Sequence, residues 1–261
     1  MSNIDLTNKT ALVCGASKGI GKAIAEKLAE ANANVILLAR TEEKLIEISK
    51  NLKGNGNHSF ISSDIANFEL IKVKINEYIS KNGNIHILIN NTGGPKAGPI
   101  EKAEGDEFIE AFKNHVLSCS ELSKLVLDGM RQENYGRIIN IISTSVKIPI
   151  PNLGVSNTIR AAVASWSKTL SLEVAKFGIT VNNVLPGYTE TERLDILIEN
   201  AAKNQNKTKE QVIYDWKNTI PSRRFASPEE IANAALFLAS PLASYINGIN
   251  LPVDGGRTGC L

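Results

Sequence analysis

Little in this chain points to a cross-linked, metal-bound or membrane-spanning protein. Its cysteines (Cys14, Cys119 and Cys260) are an odd, scattered set of three, without metal-ligand spacing, and read as reduced thiols. The histidines at 58, 86 and 115 are equally scattered, so no metal is expected. No apolar run reaches the roughly 18 residues that cross a bilayer, and nothing near the N-terminus reads as a signal peptide. A cytoplasmic protein with no membrane partner is expected. An excess of one charge is missing too: 29 Lys and Arg against 27 Asp and Glu leave a formal +2, which argues against a nucleic-acid partner. No repeat and no linker-like break interrupts the 261 residues, a length that buries a full core, so residues 1–261 read as one domain.

What is present is an alternation. Short apolar, β-rich runs at 10–14, 35–39, 58–61, 85–90, 137–142, 180–184 and 249–253 are separated by stretches of helical period at 20–31, 42–52, 68–80, 106–131 and 157–176. Strands that are apolar throughout, with helices between them, imply an α/β protein whose parallel sheet is covered on both faces. The stretch 106–131 reads as one long helix. In 157–176 the small residues Ala161, Ala162, Ala164 and Ser165 suit close packing. The polar run 201–210, between two helical pieces, reads as a mobile surface excursion.

Two loops carry chemistry. The first strand is followed by Gly15-Ala-Ser-Lys-Gly19-Ile-Gly21. Strand, Gly-rich turn and helix N-terminus together suit a pyrophosphate, because glycines let it approach the backbone while free N–H groups and the helix dipole favour an anion. Three glycines alone also make plain turns, but here the strand and the helix stand where the motif needs them. The fourth strand is followed by Asn90-Asn91-Thr92-Gly93-Gly94, whose amides can tie strand ends together and whose glycines let a cofactor lie close. An ordinary Asn/Gly loop has the same composition.

With these motifs in this order, the chain resembles the short-chain dehydrogenase/reductase family essentially end to end, and within it the 3-oxoacyl-(acyl carrier protein) reductase-like branch. Gly15, Ser17, Lys18, Gly19, Ile20 and Gly21 match the family's cofactor turn, and Asn91 and Gly93 its N-N-x-G segment. Gly136 to Ser143 matches the strand ending in the catalytic serine. Pro186-Gly187 with Thr191 matches the P-G-x-x-x-T that passes over the nicotinamide, and Asp64 with Ile65 falls beside the adenine. The resemblance implies a single-domain Rossmann fold, a doubly wound parallel sheet of seven strands in the order 3-2-1-4-5-6-7. The second strand ends in Arg40, with no acid to hold a ribose 2′-hydroxyl. Lys18 and Arg40 could flank a 2′-phosphate, or be solvated surface cations. NADP(H) is favoured over NAD(H).

The resemblance breaks at the reacting centre. The family uses Asn, Ser, Tyr and Lys, the last two as Y-x-x-x-K. Counting back from Ser167-Lys168-Thr169-Leu170 sets Ser156 at the Tyr position and Arg160 at the Lys position. Counting back from Gly136 sets His115 at the Asn position, with Asn114 one residue earlier. Ser143 alone is retained. A phenol, of pKa about 10, can be drawn toward neutrality by a nearby cation and protonate a carbonyl oxygen. A serine hydroxyl is a far weaker acid and too short to reach the same oxygen. Arg160 keeps the positive charge and could bind the nicotinamide ribose, yet does not readily release a proton. His115 could act as acid or base near neutral pH, with Ser143 polarising a carbonyl, although a lone His on a long helix is more often a packed residue. Tyr188 is another candidate donor.

Three readings follow: an NADP(H)-dependent oxidoreductase acting on a carbonyl or alcohol with an altered catalytic set, a dinucleotide-binding protein serving as sensor or subunit, and a lyase or isomerase using the same pocket. The substrate is a small molecule, free or carrier-bound. Residues 188–224 are expected to form its lid, with Leu194, Ile196, Leu197, Ile198, Ile213 and Trp216 packing against the body. Arg193, Arg223 and Arg224 could meet an acidic carrier or a phosphate. The resemblance also implies a homotetramer or homodimer, assembled through the long helices and the tail 253–261.

Overall fold

Seven β-rich runs form one sheet: β1 (Thr10–Cys14), β2 (Asn34–Ala39), β3 (His58–Ser62), β4 (Ile87–Asn90), β5 (Gly136–Ile141), β6 (Ile179–Pro186) and β7 (Asn250–Val253). They lie in the order 3-2-1-4-5-6-7, and every pairing is parallel. The order reverses between β1 and β4, so the loops after these two strands open a crevice at the carboxyl edge of the sheet. The computed structural model describes residues 4–260; residues 1–3 and Leu261, the last residue of the tail, lie outside the described residues.

Nine helices among the described residues cover the sheet: α1 (Gly19–Glu30), α2 (Glu42–Asn51), α3 (Phe68–Asn82), α4 (Gly105–Phe112), α5 (Ser118–Gln132), α6 (Gly154–Val174), α7 (Glu192–Gln205), α8 (Lys209–Asn218) and α9 (Pro228–Ala239). On one face Leu28 and Ala235 pack on Val13 and Val35; on the other Ile75, Leu122 and Val126 pack on Leu12, Leu88 and Ile138. Burial on both faces explains why the strands are apolar throughout.

Three expectations are corrected. The stretch 106–131 is not one helix, because a π turn, Lys113–Leu117, separates α4 from α5. Such a wide turn disturbs the regular carbonyl partners, and the Ser118 hydroxyl donates to the carbonyls of Asn114 (2.6 Å) and His115 (3.2 Å). The run 201–210 is not an excursion: α7 continues through Gln205, Asn206 ends it in the left-handed region (φ 52°), and Thr208 with Gln211 caps α8. The apolar residues of 188–224 do not chiefly pack on the body. Leu194, Ile198, Val212, Ile220 and Phe225 form a separate small core with Tyr188 and Trp216, while Ile196 is exposed. Two short helices facing one another bury their stripes most simply against each other.

Asparagines at one register on four strands join edge to site. Asn90 donates to Asn140 (2.8 Å), Asn140 to Asn183 (2.9 Å) and Asn183 to Asn250 (2.8 Å), each pair directly opposed across the sheet. Each amide satisfies its neighbour, as buried polar groups require.

Candidate active site

The Gly-rich turn is built for close backbone approach. Gly15 and Gly19 are left-handed (φ 62° and 55°), which glycine adopts without strain. A Cβ on Gly21 would stand 2.3 Å from the Gly15 carbonyl oxygen and 2.6 Å from Asn91 Nδ2. Asn91 Nδ2 donates to the carbonyl of Cys14 at 3.3 Å and meets that of Gly15 at 3.5 Å, which ties the β4 loop to the β1 turn. Lys18, at the N-cap of α1, makes no side-chain cap, and the first turn holds no acid. Uncapped N–H groups therefore end the helix with no acid in its own first turn to repel an anion. A Cβ on Gly93 would meet nothing within 4 Å, so that loop is open on the crevice side as well. These features fit a dinucleotide.

The start of α7 reaches over both loops. Thr191 lies against Gly19, Lys18 forms an ion pair with Glu192, and Arg193 Nη2 donates to the Pro95 carbonyl at 2.6 Å. Arg40 stands exposed at the end of β2, its Nη1 3.9 Å from Asp64; Ile65 lines the recess below with Cys14. Pro186 closes β6, and the Gly187 N–H donates to Val253 at 2.9 Å.

Of the residues in place of the catalytic set, Arg160 and His115 share one recess at the ends of β4 and β5, and Ser143 follows β5. The Ser143 hydroxyl oxygen accepts from the Ser145 N–H at 3.1 Å, which leaves its O–H free to donate outward. A Cβ on Gly154 would lie 2.5 Å from Ile100 Cβ, so α6 starts tight against that loop and fixes the half-buried Ser156 and the deep Arg160 on its first two turns. Arg160 is 7% exposed; Nη1 donates to the Ile141 carbonyl (3.0 Å), Nη2 reaches that of Thr92 (3.5 Å), and the buried Nε has no partner. The Thr92 hydroxyl bonds His115 Nδ1. Arg160, His115, Thr92, Asn90 and Cys119 share a recess of about 10 Å³, roughly what one water fills.

A family model described as enoyl-(acyl carrier protein) reductase matches residues 15–258. The chain is 38% identical over 255 residues to 3-oxoacyl-[acyl-carrier-protein] reductase FabG of Vibrio cholerae, across 97% of this chain and 98% of that one. It is 30% identical over 254 residues to NADPH-dependent reductase BacG of Bacillus subtilis, across 96% and 98%. The chain belongs to the short-chain dehydrogenase/reductase family. Its fold matches that of L-sorbose reductase from Gluconobacter frateurii, solved with NADPH and L-sorbose, at a TM-score of 0.93 and 31% identity, covering 99% of this chain and 100% of that one.

In this dehydrogenase/reductase the buried charges decide what S-x-x-x-R can do. Burial pulls the Arg160 guanidinium down to about 10, so it is still charged at neutral pH. Burial first, and then the charge of Arg160, hold the His115 imidazole down at about 2. His115 is therefore held neutral near pH 7, which weighs against a charged imidazole as the proton donor there. Tyr188 belongs to the lid core: its ring stacks on Trp216 (4.7 Å, 9°) and its hydroxyl accepts from Arg257 at 3.4 Å.

Thr92 and the Asn140–Asn183–Asn250 series carried no role in the sequence reading, and Arg193 figured only as one of three lid arginines that could meet an acidic carrier or a phosphate. Asparagines inside otherwise apolar runs, as in Ile-Ile-Asn-Ile-Ile, were the available signal for that series. Arg193 stood beside a matched motif residue, Thr191.

Proposed function

We propose that the protein is an NADP(H)-dependent oxidoreductase that interconverts a carbonyl and an alcohol on a small molecule, free or carrier-bound, in the manner of the 3-oxoacyl-(acyl carrier protein) reductases it is similar to. The observation that carries this reading is the uncapped, acid-free N-terminus of α1 behind a turn that only glycines fit, held against Asn91. Relatives named for NADPH, and an arginine where an NAD site needs an acid, support the phosphorylated cofactor.

When bound, the reduced nicotinamide supplies the hydride. Ser143 donates to the substrate oxygen, and Arg160 steadies the charge that grows there. Neither the Ser156 hydroxyl nor the neutral His115 imidazole is a better acid than water, so the alkoxide oxygen left by hydride transfer takes its proton from solvent, which is left as hydroxide. Residues 188–224 act as the lid. Exposed apolar side chains on α4 to α6 (Ile109 and Leu172, 68% and 69% exposed) support assembly into a homotetramer or homodimer, which the mass in solution tests.

Calorimetric titration with NADPH and NADH in parallel tests the reading, followed by a ketone and alcohol screen with Ser143→Ala as control. Tight NADPH binding, weak NADH binding and Ser143-dependent turnover are expected. Tight binding without turnover on any substrate would leave a sensor or subunit, and binding of neither nucleotide would sink the reading altogether.

A further inference from the structure

Two arginines and no carboxylate stand at the reacting end of the crevice. Arg160 comes from α6 and lies beneath it. Arg193, at the start of α7, bends over the Gly94–Pro95 loop, where a Cβ on Gly94 would meet its guanidinium at 3.5 Å. Among the described residues no Asp or Glu oxygen lies within 4.0 Å of either guanidinium; the buried Arg137 lacks one too, but three carbonyls and the Tyr135 ring answer it. The nearby polar groups do not supply the missing charge. Ser156 does not ionise, and His115, Thr92 and Asn90 are neutral.

A buried cation without an anion is costly, and proteins rarely leave one so. Arg160 meets the chain only through two carbonyls, and its buried Nε is unanswered. Arg193 spends one N–H on Pro95 and keeps the rest of its planar fork. Forks of this kind match a carboxylate or a phosphate, and titration of the nucleotide-loaded protein separates a substrate carboxylate from the cofactor's own phosphates.

We propose that the substrate of this site bears a carboxylate, received by Arg193 above the buried charge of Arg160 and beside the carbon that is reduced. The proposal rests on the oxidoreductase reading for its chemistry but not for its anion site. The substrate class is then a keto acid and the corresponding hydroxy acid. Arg193 provides the reachable contact from the lid, and Arg160 the fixed charge below.

The test is calorimetric titration of the NADP⁺-loaded protein with malonate and with its neutral diamide, in a buffer of low chloride because salt screens such contacts. Malonate is expected to bind at least about tenfold more tightly than malonamide, and Arg193→Gln to weaken malonate by about tenfold or more. Arg223→Gln, a lid arginine facing Asn218, should leave malonate unaffected. Equal binding of malonate and malonamide, no malonate binding, or binding that Arg193→Gln does not weaken each overturns the proposal. Arg193 is half-buried and bonds the chain only at the Pro95 carbonyl, so its variant tests the site without disturbing the buried Arg160. If NADP⁺ itself does not bind, the oxidoreductase reading falls, and the same malonate titrations on the protein alone still decide the carboxylate site.

Discussion

Strands β4 and β5 are flanked at each end by a buried histidine and a buried arginine, and the two ends are finished differently. At the amino end His86 accepts from the Thr10 N–H (3.0 Å) and bonds Glu133 (2.8 Å). There Arg137 donates to the carbonyls of Gly136 (2.8 Å), Gly178 (3.1 Å) and Ser240 (3.4 Å) and lies 4.2 Å from the Tyr135 ring. At the carboxyl end Arg160 has two carbonyls, an unanswered Nε and no carboxylate, and His115 faces it uncharged. A closed network holds a fold together; an open one at a crevice keeps bonding capacity for a ligand.

Exchanging the two arginines for methionine is the strongest way to break that contrast. Arg160→Met is expected to lower turnover by about a hundredfold or more, the scale of a lost charge-stabilising donor. Its unfolding free energy should change by only about 1 kcal/mol, since removing an under-paired buried cation also removes its desolvation cost. Arg137→Met should do the reverse: about 2–3 kcal/mol of stability lost as buried carbonyls lose their donor, with kcat of the folded protein unchanged. Steady-state kinetics beside denaturant melts separate the two. If Arg160→Met unfolds the protein as readily as Arg137→Met, the two ends are alike.

Acid sharpens the contrast at a smaller scale. Burial lowers the pKa of both His86 and His115, so below 6.5 the unfolded chain takes up protons that the folded chain refuses. Stability is therefore full above that pH and falls as the pH drops. The limit for the deeply buried His115 is about 1.4 kcal/mol per pH unit, and His86 adds a smaller slope of the same sign. Glu133, its carboxyl held below the ordinary value despite partial burial by bonds from His86 and Asn84, adds a further loss below 4.5. His115→Gln should flatten the melts between pH 6.5 and 5 while leaving the pH–rate profile alone. A rate limb that vanished with His115→Gln would return that residue to the acid–base role.

The same contrast shows what the sequence makes legible. The cofactor side is written locally: a strand, glycines at set spacing and a helix start lie within a dozen residues, and Gly15, Gly21 and Asn91 meet as that pattern implies. Ser143, Ser156 and Arg160 could be placed by counting because β5 and α6 are near neighbours in the chain. The state of His115 could not be read, because it depends on a π turn with no local signature and on the charge of Arg160 from a different helix. The lid residues showed their helical period but not that α7 and α8 face one another. The four asparagines of the ladder are scattered from 90 to 250, and only strand register brings them into line.

The smallest effect on stability belongs to Lys18. Its ion pair with Glu192 joins side chains 60% and 63% exposed, and pairs so open to water contribute little to folding. Lys18→Ala should leave the melting temperature unchanged within error. Its effect belongs to the ligand: if Lys18 leaves Glu192 to meet a 2′-phosphate, NADPH affinity falls about tenfold in Lys18→Ala, the worth of one lost charge-assisted bond, while NADH affinity holds. Arg40→Ala should act likewise. An unchanged NADPH affinity in Lys18→Ala together with a loss in Arg40→Ala would make Lys18 a fastening for the lid alone. In that case Glu192→Gln should release α7 from the Gly-rich turn and speed nucleotide exchange, which stopped-flow displacement of NADPH measures directly.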